Sequence, residues 1–231
     1  MIYVLSDIHG NIRRFNSIME QINLKESDTL YILGDVIDRH PYGIKILRKI
    51  MKMPNAKMLL GNHEYMMLKA IGESEIDLSA LALWYQNRGK CTHDYLNHIR
   101  KDLRQEIFDY LRNLPLNIDI EVGGQKYKLV HGYPIEEYER STMRYNNAAE
   151  FTVWNRFYPG LFIPDDYILI FGHTPTRNYQ RCNPLQIWFD DKTIGIDCGS
   201  GFPENDSMFY YKGRLACLRL DDMKEYYSDE S

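Results

Sequence analysis

Two aspartates, one asparagine and three histidines come directly after short apolar runs in this chain. Asp7 and His9 follow Tyr3-Val4-Leu5, Asp35 follows Tyr31-Ile32-Leu33-Gly34, and Asn62 follows Met58-Leu59-Leu60-Gly61. His131 follows Leu129-Val130, and His173 follows Ile168-Leu169-Ile170-Phe171-Gly172. Taken singly, such residues are ordinary caps, turn formers or satisfied polar groups. As a set they offer oxygen and imidazole donors without a thiolate, which suits Mn²⁺, Fe or Zn²⁺ better than Cu(I). Six donors exceed the need of one open catalytic ion. Two ions roughly 3.5–4 Å apart, sharing a carboxylate, would use all six and form the clamp used in phosphate-ester displacement.

For these donors to meet, the apolar runs must be strands whose carboxyl ends gather at one edge, as in open α/β sheets. Tyr3-Val4-Leu5, 29–33 and 57–60 read as strands. Between them, Ile12, Phe15, Ile18, Met19 and Ile22, then Ile44, Leu47, Ile50 and Met51, keep helical spacing, the second helix stopping before Pro54. This β-α-β-α-β order predicts a mainly parallel sheet with helices packed on it. Residues 64–114 keep helical periods at Leu78, Leu81, Ala82 and Tyr85 and at Leu103, Ile107, Tyr110 and Leu111, and are read as a helical insertion. Alternating Ile118, Ile120 and Val122, then Gly123-Gly124, Tyr127 and Leu129, predict a hairpin that starts a second sheet. Further strands are expected at 167–171, 185–189 and 193–196, with a closing hairpin over 208–220 turning at Lys212-Gly213. The acidic stretch 221–231 is expected to fray. With no repeat or compositional break, 1–231 reads as one α/β domain, two mixed sheets between helices in an α/β/β/α sandwich.

The 231 residues are 44% hydrophobic and 26% charged, which places the chain among ordinary globular proteins. Lys plus Arg at 28 against Asp plus Glu at 32, a net charge of -4, argues against a nucleic-acid binder that relies on a broad basic surface. Cys91, Cys182, Cys198 and Cys217 show no Cys-x-x-Cys spacing, so neither a zinc ribbon nor a dithiol redox motif is expected. No apolar run approaches the roughly 18 residues of a membrane span, and Met1-Ile2-Tyr3-Val4-Leu5 lacks the features of a leader; the expected location is the cytoplasm. Oligomeric state leaves no trace in the composition.

Five stretches carry a resemblance. Asp7-Ile8-His9-Gly10, Gly34-Asp35-Val36-Ile37-Asp38-Arg39, Gly61-Asn62-His63-Glu64, His131-Gly132 and Gly172-His173-Thr174-Pro175 resemble, in order, the signature blocks of the phosphoprotein phosphatase family of calcineurin-like metallophosphoesterases, above all its small bacterial and phage members. Ile196-Asp197-Cys198-Gly199 looks like a later block of the same family. The resemblance implies the calcineurin-like fold and two divalent ions, Mn²⁺ first, with Fe or Zn²⁺ as alternatives. It makes Asp7 and His9 ligands of the first ion, Asp35 the bridge, and Asn62, His131 and His173 ligands of the second. His63 would be the general acid, with Asp38 as its carboxylate partner. Arg39 and Arg156, the latter in Val153-Trp154-Asn155-Arg156, would be phosphate clamps. The implied chemistry is coherent: two ions held by these donors would supply an activated water as the nucleophile, the guanidiniums would offset phosphoryl charge, and an imidazolium would protonate the departing alkoxide.

Three positions depart from the family pattern. His40 stands where Gly usually follows Asp-Arg, Leu60 where many members have Arg, and Asn87-Arg88-Gly89 where relatives show Asn-Gly-Gly. Arg88 reads as a surface charge or a replacement phosphate contact. His40, His93 and His98, and the aromatics Trp84, Tyr85, Tyr95, Tyr133, Trp154 and Tyr158, receive no catalytic role, and Asp190-Asp191 reads as a turn. The expected activity is hydrolysis of phosphomonoesters, on phosphoserine or phosphothreonine in proteins or on a small phosphoester. The rival is a dinucleoside polyphosphate hydrolase such as one acting on diadenosine tetraphosphate, whose relatives commonly lack Asp38 and have Asp in place of Glu64. A noncatalytic metal-binding scaffold is a second alternative, weakened by the intact set of donors.

Overall fold

The strand β1 (Ile2–Leu5) alternates its side chains between two apolar layers. Val4 joins Tyr31, Leu33 and Leu59 against Leu129, Ile170 and Ile194 of a second sheet, while Tyr3 and Leu5 face Phe15, Ile18, Ile44 and Leu47 from helices. A computed structural model describes residues 1–160, 163–164, 166–203 and 212–229. After β1 come α1 (Ile12–Ile22), β2 (Thr29–Ile32), α2 (Gly43–Ile50) and β3 (Ala56–Met58). Strands β1, β2 and β3 pair in parallel. Asn11 caps α1 by accepting from the Arg14 N–H, and α1 buries Phe15, Ile18 and Ile22, the stripe that period 3.6 requires.

The expected insertion is four helices: α3 (Asn62–Ile71), α4 (Leu78–Gln86), α5 (Lys90–Asn97) and α6 (Lys101–Arg112). Its first helix begins two residues earlier than expected, so Asn62 and His63 occupy the first turn of α3. The second sheet opens with β4 (Asn117–Val122) and β5 (Gln125–Val130), joined by Gly123 and Gly124 at φ 58° and 83°, the paired positive values that a two-residue hairpin turn demands. After α7 (Ala148–Trp154), β6 (Ile168–Phe171), β7 (Trp188–Asp190) and β8 (Thr193–Gly195) complete it in the order β4-β5-β6-β8-β7. The last strands, β9 (Ala216–Arg219) and β10 (Lys224–Tyr227), return to the first sheet, ordered β10-β9-β1-β2-β3. Two mixed sheets therefore stack face to face with helices outside, as expected.

Three local expectations need correction. The strand expected at 185–189 is β7, displaced towards 190, because Asn183 and Leu185 take left-handed φ of 52° and 66° and the chain turns there, with Gln186 N–H bonding the Asn183 carbonyl. The closing hairpin is not centred on Lys212-Gly213. It pairs β9 with β10, and the part of the expected hairpin at 208–211 lies outside the described residues. The tail from Asp221 through Asp229 is ordered. Asp222 pairs with Arg219 at 2.6 Å, Asp221 accepts the Ile2 N–H at 2.7 Å, and Tyr226 is buried beside Tyr3. Of the acidic residues that suggested fraying, Asp221 and Asp222 thus sit in the turn before β10, Glu225 lies on its exposed side, and Tyr226 supplies the buried side.

Candidate metal centre

The loops that leave β1, β2 and β6 enter the site through backbone that side chains ordinarily avoid. Asp7, His9, Asp35, Asp38, Arg39 and His173, six of the ten site residues expected from sequence, have φ between 50° and 69°. Each such residue costs on the order of 1–3 kcal/mol, so other contacts must hold it. Asp7, His9 and Gly10 N–H groups bond the carbonyls of Gly34, Asp35 and Val36, tying the first two loops together. The buried Glu64 carboxylate gathers the N–H groups of Asp35 and Val36 at 2.9 Å and of Ile37 and Gly61 at 3.2 Å. His40 takes no left-handed angle, so the loop tolerates it in place of glycine; its N–H bonds the Asp38 and His9 carbonyls.

The donors meet. Asn62 Oδ1 lies 3.0 Å from His131 Nε2 and 2.9 Å from His173 Nδ1. Asp35 stands between the two ends of the cluster, with Oδ1 3.4 Å from His131 Nε2 and Oδ2 3.5 Å from His9 Nε2. Asp7 Oδ1 lies 3.7 Å from His9 Nε2. Donor atoms of Asp35, His131 and His173 fall within 4.8 Å of one another, as do those of His9, Asp35 and His63.

The far nitrogen of each expected histidine ligand is already committed. His9 Nδ1 faces the Ile37 carbonyl at 3.2 Å, His131 Nδ1 the Leu33 carbonyl at 2.7 Å, and His173 Nε2 the Trp154 carbonyl at 3.2 Å. A carbonyl only accepts, so each of these nitrogens carries the hydrogen and the opposite nitrogen presents a lone pair to the cluster. Burial, then Arg39 for His9 and the neighbouring His131 for His173, pulls both pKa values well below the ordinary imidazole value, keeping them neutral, the form that binds a cation. Burial and the nearby Asp35 push the Asp7 carboxyl up. At Asp35 burial acts the same way but is outweighed by His131 and His63, and the pKa falls. Two buried carboxylates among lone-pair nitrogens fit a divalent cation between them. Asp7, His9, Asp35, Asn62, His131 and His173 could hold two.

His63 faces away from this cluster on one side. Its Nδ1 lies 2.7 Å from Asp38 Oδ2, and its Nε2 lies 3.4 Å from Arg39 Nη2 and 3.9 Å from Asp35 Oδ2. Burial opposes its charge, but Asp35 and Asp38 outweigh it and raise the pKa above the ordinary value. An Arg39 N–H directed at Nε2 fits a neutral His63; protonation there requires that guanidinium to turn away. Arg156 Nη1 donates to the His173 carbonyl at 3.2 Å and Thr174 Oγ1 at 3.0 Å. Two guanidiniums therefore border one cluster, Arg39 beside His63 and Arg156 beside His173.

These strand-end donors and loops fall within the stretch, residues 1–201, that matches the family model described as calcineurin-like phosphoesterase. The chain belongs to that family. Among its curated relatives, the symmetrical bis(5'-nucleosyl)-tetraphosphatase of Acidovorax ebreus (strain TPSY) is 29% identical over 69% of this chain and 53% of that protein. Serine/threonine-protein phosphatase 2 of Escherichia coli (strain K12) is 31% identical over 59% of this chain and 61% of that protein. The chain spans about half the length of the first curated relatives it matches. Among solved structures, a provisionally assigned diadenosine tetraphosphatase superposes with a TM-score of 0.62 at 20% identity, covering 100% of this chain and 94% of that one. The cold-active protein-tyrosine phosphatase of a Shewanella species gives 0.58 at 16%, covering 99% and 80%. Both share the fold of this calcineurin-like phosphoesterase.

Sequence reading missed several residues that build the site. Trp84 Nε1 donates to Asp38 Oδ2 at 2.7 Å, and Thr92 Oγ1 accepts the Asp38 N–H at 3.1 Å. Both come from the helical insertion, and helical periodicity marks Trp84 only as core. Ser6 Oγ bonds Asp7 Oδ2, which also accepts the His173 N–H at 3.0 Å. Gly201 lies against His9 and Arg39, where a Cβ would come within 2.5 Å of His9 Cδ2 and 2.7 Å of Arg39 Cδ. Only the Gly199-Ser200-Gly201 string could have flagged it. His93 and His98 stay outside the cluster, bonded to Tyr85 and the Asp94 carbonyl. The described cysteines are unpaired thiols, and no helix among the described residues is long and apolar enough to cross a membrane.

Proposed function

We propose that the chain is a two-metal phosphohydrolase that cleaves dinucleoside tetraphosphates symmetrically. The observation that carries the two-metal reading is the triple orientation of His9, His131 and His173, each with its far nitrogen on a backbone carbonyl and its near nitrogen in the cluster. When bound, two divalent ions supply Lewis-acid activation of water and neutralisation of phosphoryl charge. The protein's own residues do the rest. Arg39 and Arg156 grip the phosphoryl oxygens, and the planar forks suit bidentate contact. His63, oriented by Asp38, gives its proton to the departing oxygen. The order of substrates reverses the one expected from sequence. The signature blocks build the metal frame common to both reactions, while the relatives' names, symmetrical tetraphosphatases in the first four cases, favour the dinucleotide.

Hydrolysis of phosphoserine or phosphothreonine in proteins is the second reading. The 2.7 Å Asp38–His63 contact favours it, because an alkoxide leaving group needs a proton more than a nucleotide phosphate does. With Mn²⁺ added, kcat/KM is measured in parallel on diadenosine tetraphosphate, a phosphoserine peptide and a phosphotyrosine peptide. The first reading expects the dinucleotide to be preferred and cleaved into two equal halves. A phosphopeptide preference greater than about a hundredfold overturns it in favour of the second. Turnover of none of them supports the noncatalytic scaffold.

A further inference from the structure

Arg88 is the sequence departure that the proposed chemistry leaves without a task. It closes the C-terminal end of α4 in left-handed backbone, φ 67°, and its carbonyl accepts the Arg39 N–H at 3.3 Å. The next residue, Gly89, bonds the Trp84 carbonyl at 3.0 Å and packs under the indole so closely that a Cβ would lie 2.2 Å from Trp84 Nε1. The segment that presents Arg88 is therefore fixed to the clamp loop on one side and to a buried tryptophan on the other.

Beside it opens a cavity of about 210 Å³. Among the described residues its polar lining is Arg39, Gln86, Asn87 and Arg88, together with Gly201, and none of the described lining residues is a carboxylate. Arg39 belongs both to this cavity and to the reaction centre, where its Nη2 lies 3.4 Å from His63 Nε2. Two guanidiniums and two carboxamides around one space are the donor set of an anion site, and the shared Arg39 joins it to the place where the phosphoryl group would be attacked. Among the described residues, no ion pair engages the Arg88 side chain.

We infer that this cavity is a subsite for a further phosphate of a phosphoanhydride-linked chain, beyond the phosphoryl group being attacked, with Arg88 as its specificity-determining contact. The inference rests on the phosphohydrolase reading and adds to it. A substrate with a single phosphate reaches Arg39 but not Arg88, whereas a polyphosphate chain extends from Arg39 to Arg88. Arg88 thereby favours anhydrides over monoesters by recognition of the chain and not by a change in the chemistry at phosphorus.

The test compares inhibition of p-nitrophenyl phosphate turnover by orthophosphate and by tripolyphosphate, with free Mn²⁺ held constant. Loss of one charge-assisted contact predicts that Arg88→Ala raises the tripolyphosphate inhibition constant about tenfold and the orthophosphate constant by less than about twofold. Arg88→Lys, which keeps the charge but not the fork, should fall between the parent and Arg88→Ala. Equal changes for the two inhibitors, or no change for either, overturn the subsite. Calorimetric titration of the same proteins with tripolyphosphate and with orthophosphate repeats the comparison without turnover. A chain that hydrolyses nothing therefore refutes the proposed function while the subsite is still judged on its own.

Discussion

The indole Nε1 of Trp84 lies 2.7 Å from Oδ2 of Asp38, the same oxygen that faces Nδ1 of His63 at 2.7 Å. One carboxylate oxygen thus accepts from a residue of the helical insertion and from the expected acid, while Asp38 Oδ1 is buried without a partner. The indole fixes where the carboxylate can stand, and the carboxylate fixes the imidazole. Trp84→Phe removes the donor and keeps most of the ring. It should lower kcat on phenyl phosphate about tenfold and on p-nitrophenyl phosphate much less, because only the poorer leaving group needs the proton. Equal losses on both esters, measured as separate kcat and KM values, would show that Trp84 only packs.

Metal removal tests the cluster directly. Chelation should abolish p-nitrophenyl phosphate turnover and Mn²⁺ should restore it, with elemental analysis giving about two ions per chain. Donors brought together only by folding would bind ions only in the folded chain, so adding Mn²⁺ should also raise Tm by about 5 °C or more. In Asp35→Asn the rate should drop by more than about a hundredfold and the rise in Tm should shrink. Undiminished activity in that variant would dismiss Asp35 as the shared ligand.

Gly201→Ala probes a close approach. Its Cβ would sit 2.5 Å from His9 Cδ2, and His9 is pinned through Nδ1 to the Ile37 carbonyl, so the ring cannot yield freely. Arg39 would move as well. The expected result is a kcat/KM lower by about a hundredfold with an unchanged far-ultraviolet circular dichroism spectrum. A parent-like rate would mean that the loop carrying Gly201 shifts without disturbing the cluster.

Lys128 offers a pH test away from the cluster. Burial opposes its charge, but hydrogen bonds to Asp119 at 2.7 Å and Glu136 at 2.8 Å outweigh this and raise its pKa above the ordinary lysine value. A lysine whose folded pKa is raised contributes stability that is fully present below its unfolded pKa and lost as pH rises through the folded one. Both carboxylates are exposed, so Lys128→Ala should cost only about 1 kcal/mol at pH 7. Denaturant unfolding of the two proteins should give curves that converge as pH climbs beyond about 10.4. A gap that persists there would assign the loss to the packing of the lysine stem.

Residue types in order along the chain were enough to mark the strands and the donors at their ends. Apolar runs such as Tyr3-Val4-Leu5 and Ile168-Leu169-Ile170-Phe171 declare buried strands, and parallel pairing of β1 with β2 places Asp7 and Asp35 at one edge, so the candidate donors were legible residue by residue, whereas His173, after β6 of the other sheet, joins them only through the stacking of the two sheets. The same reading could not place the tail from Asp221, because local acidity says nothing about pairing, and β10 exists only because β9 presents its edge. Nor could it see that Trp84 reaches Asp38, that Gly201 makes room for His9 and Arg39, or that Arg88 and Arg39 line one cavity. Those relations join residues 46, 49 and more than a hundred positions apart on elements whose own periodicity records only which face is apolar. Donor chemistry is a property of residue types and their place after a strand. Orientation, tautomer and subsite depend on distant side chains packed together, and which of them touch is settled by how the two sheets and the helical insertion close around the strand ends.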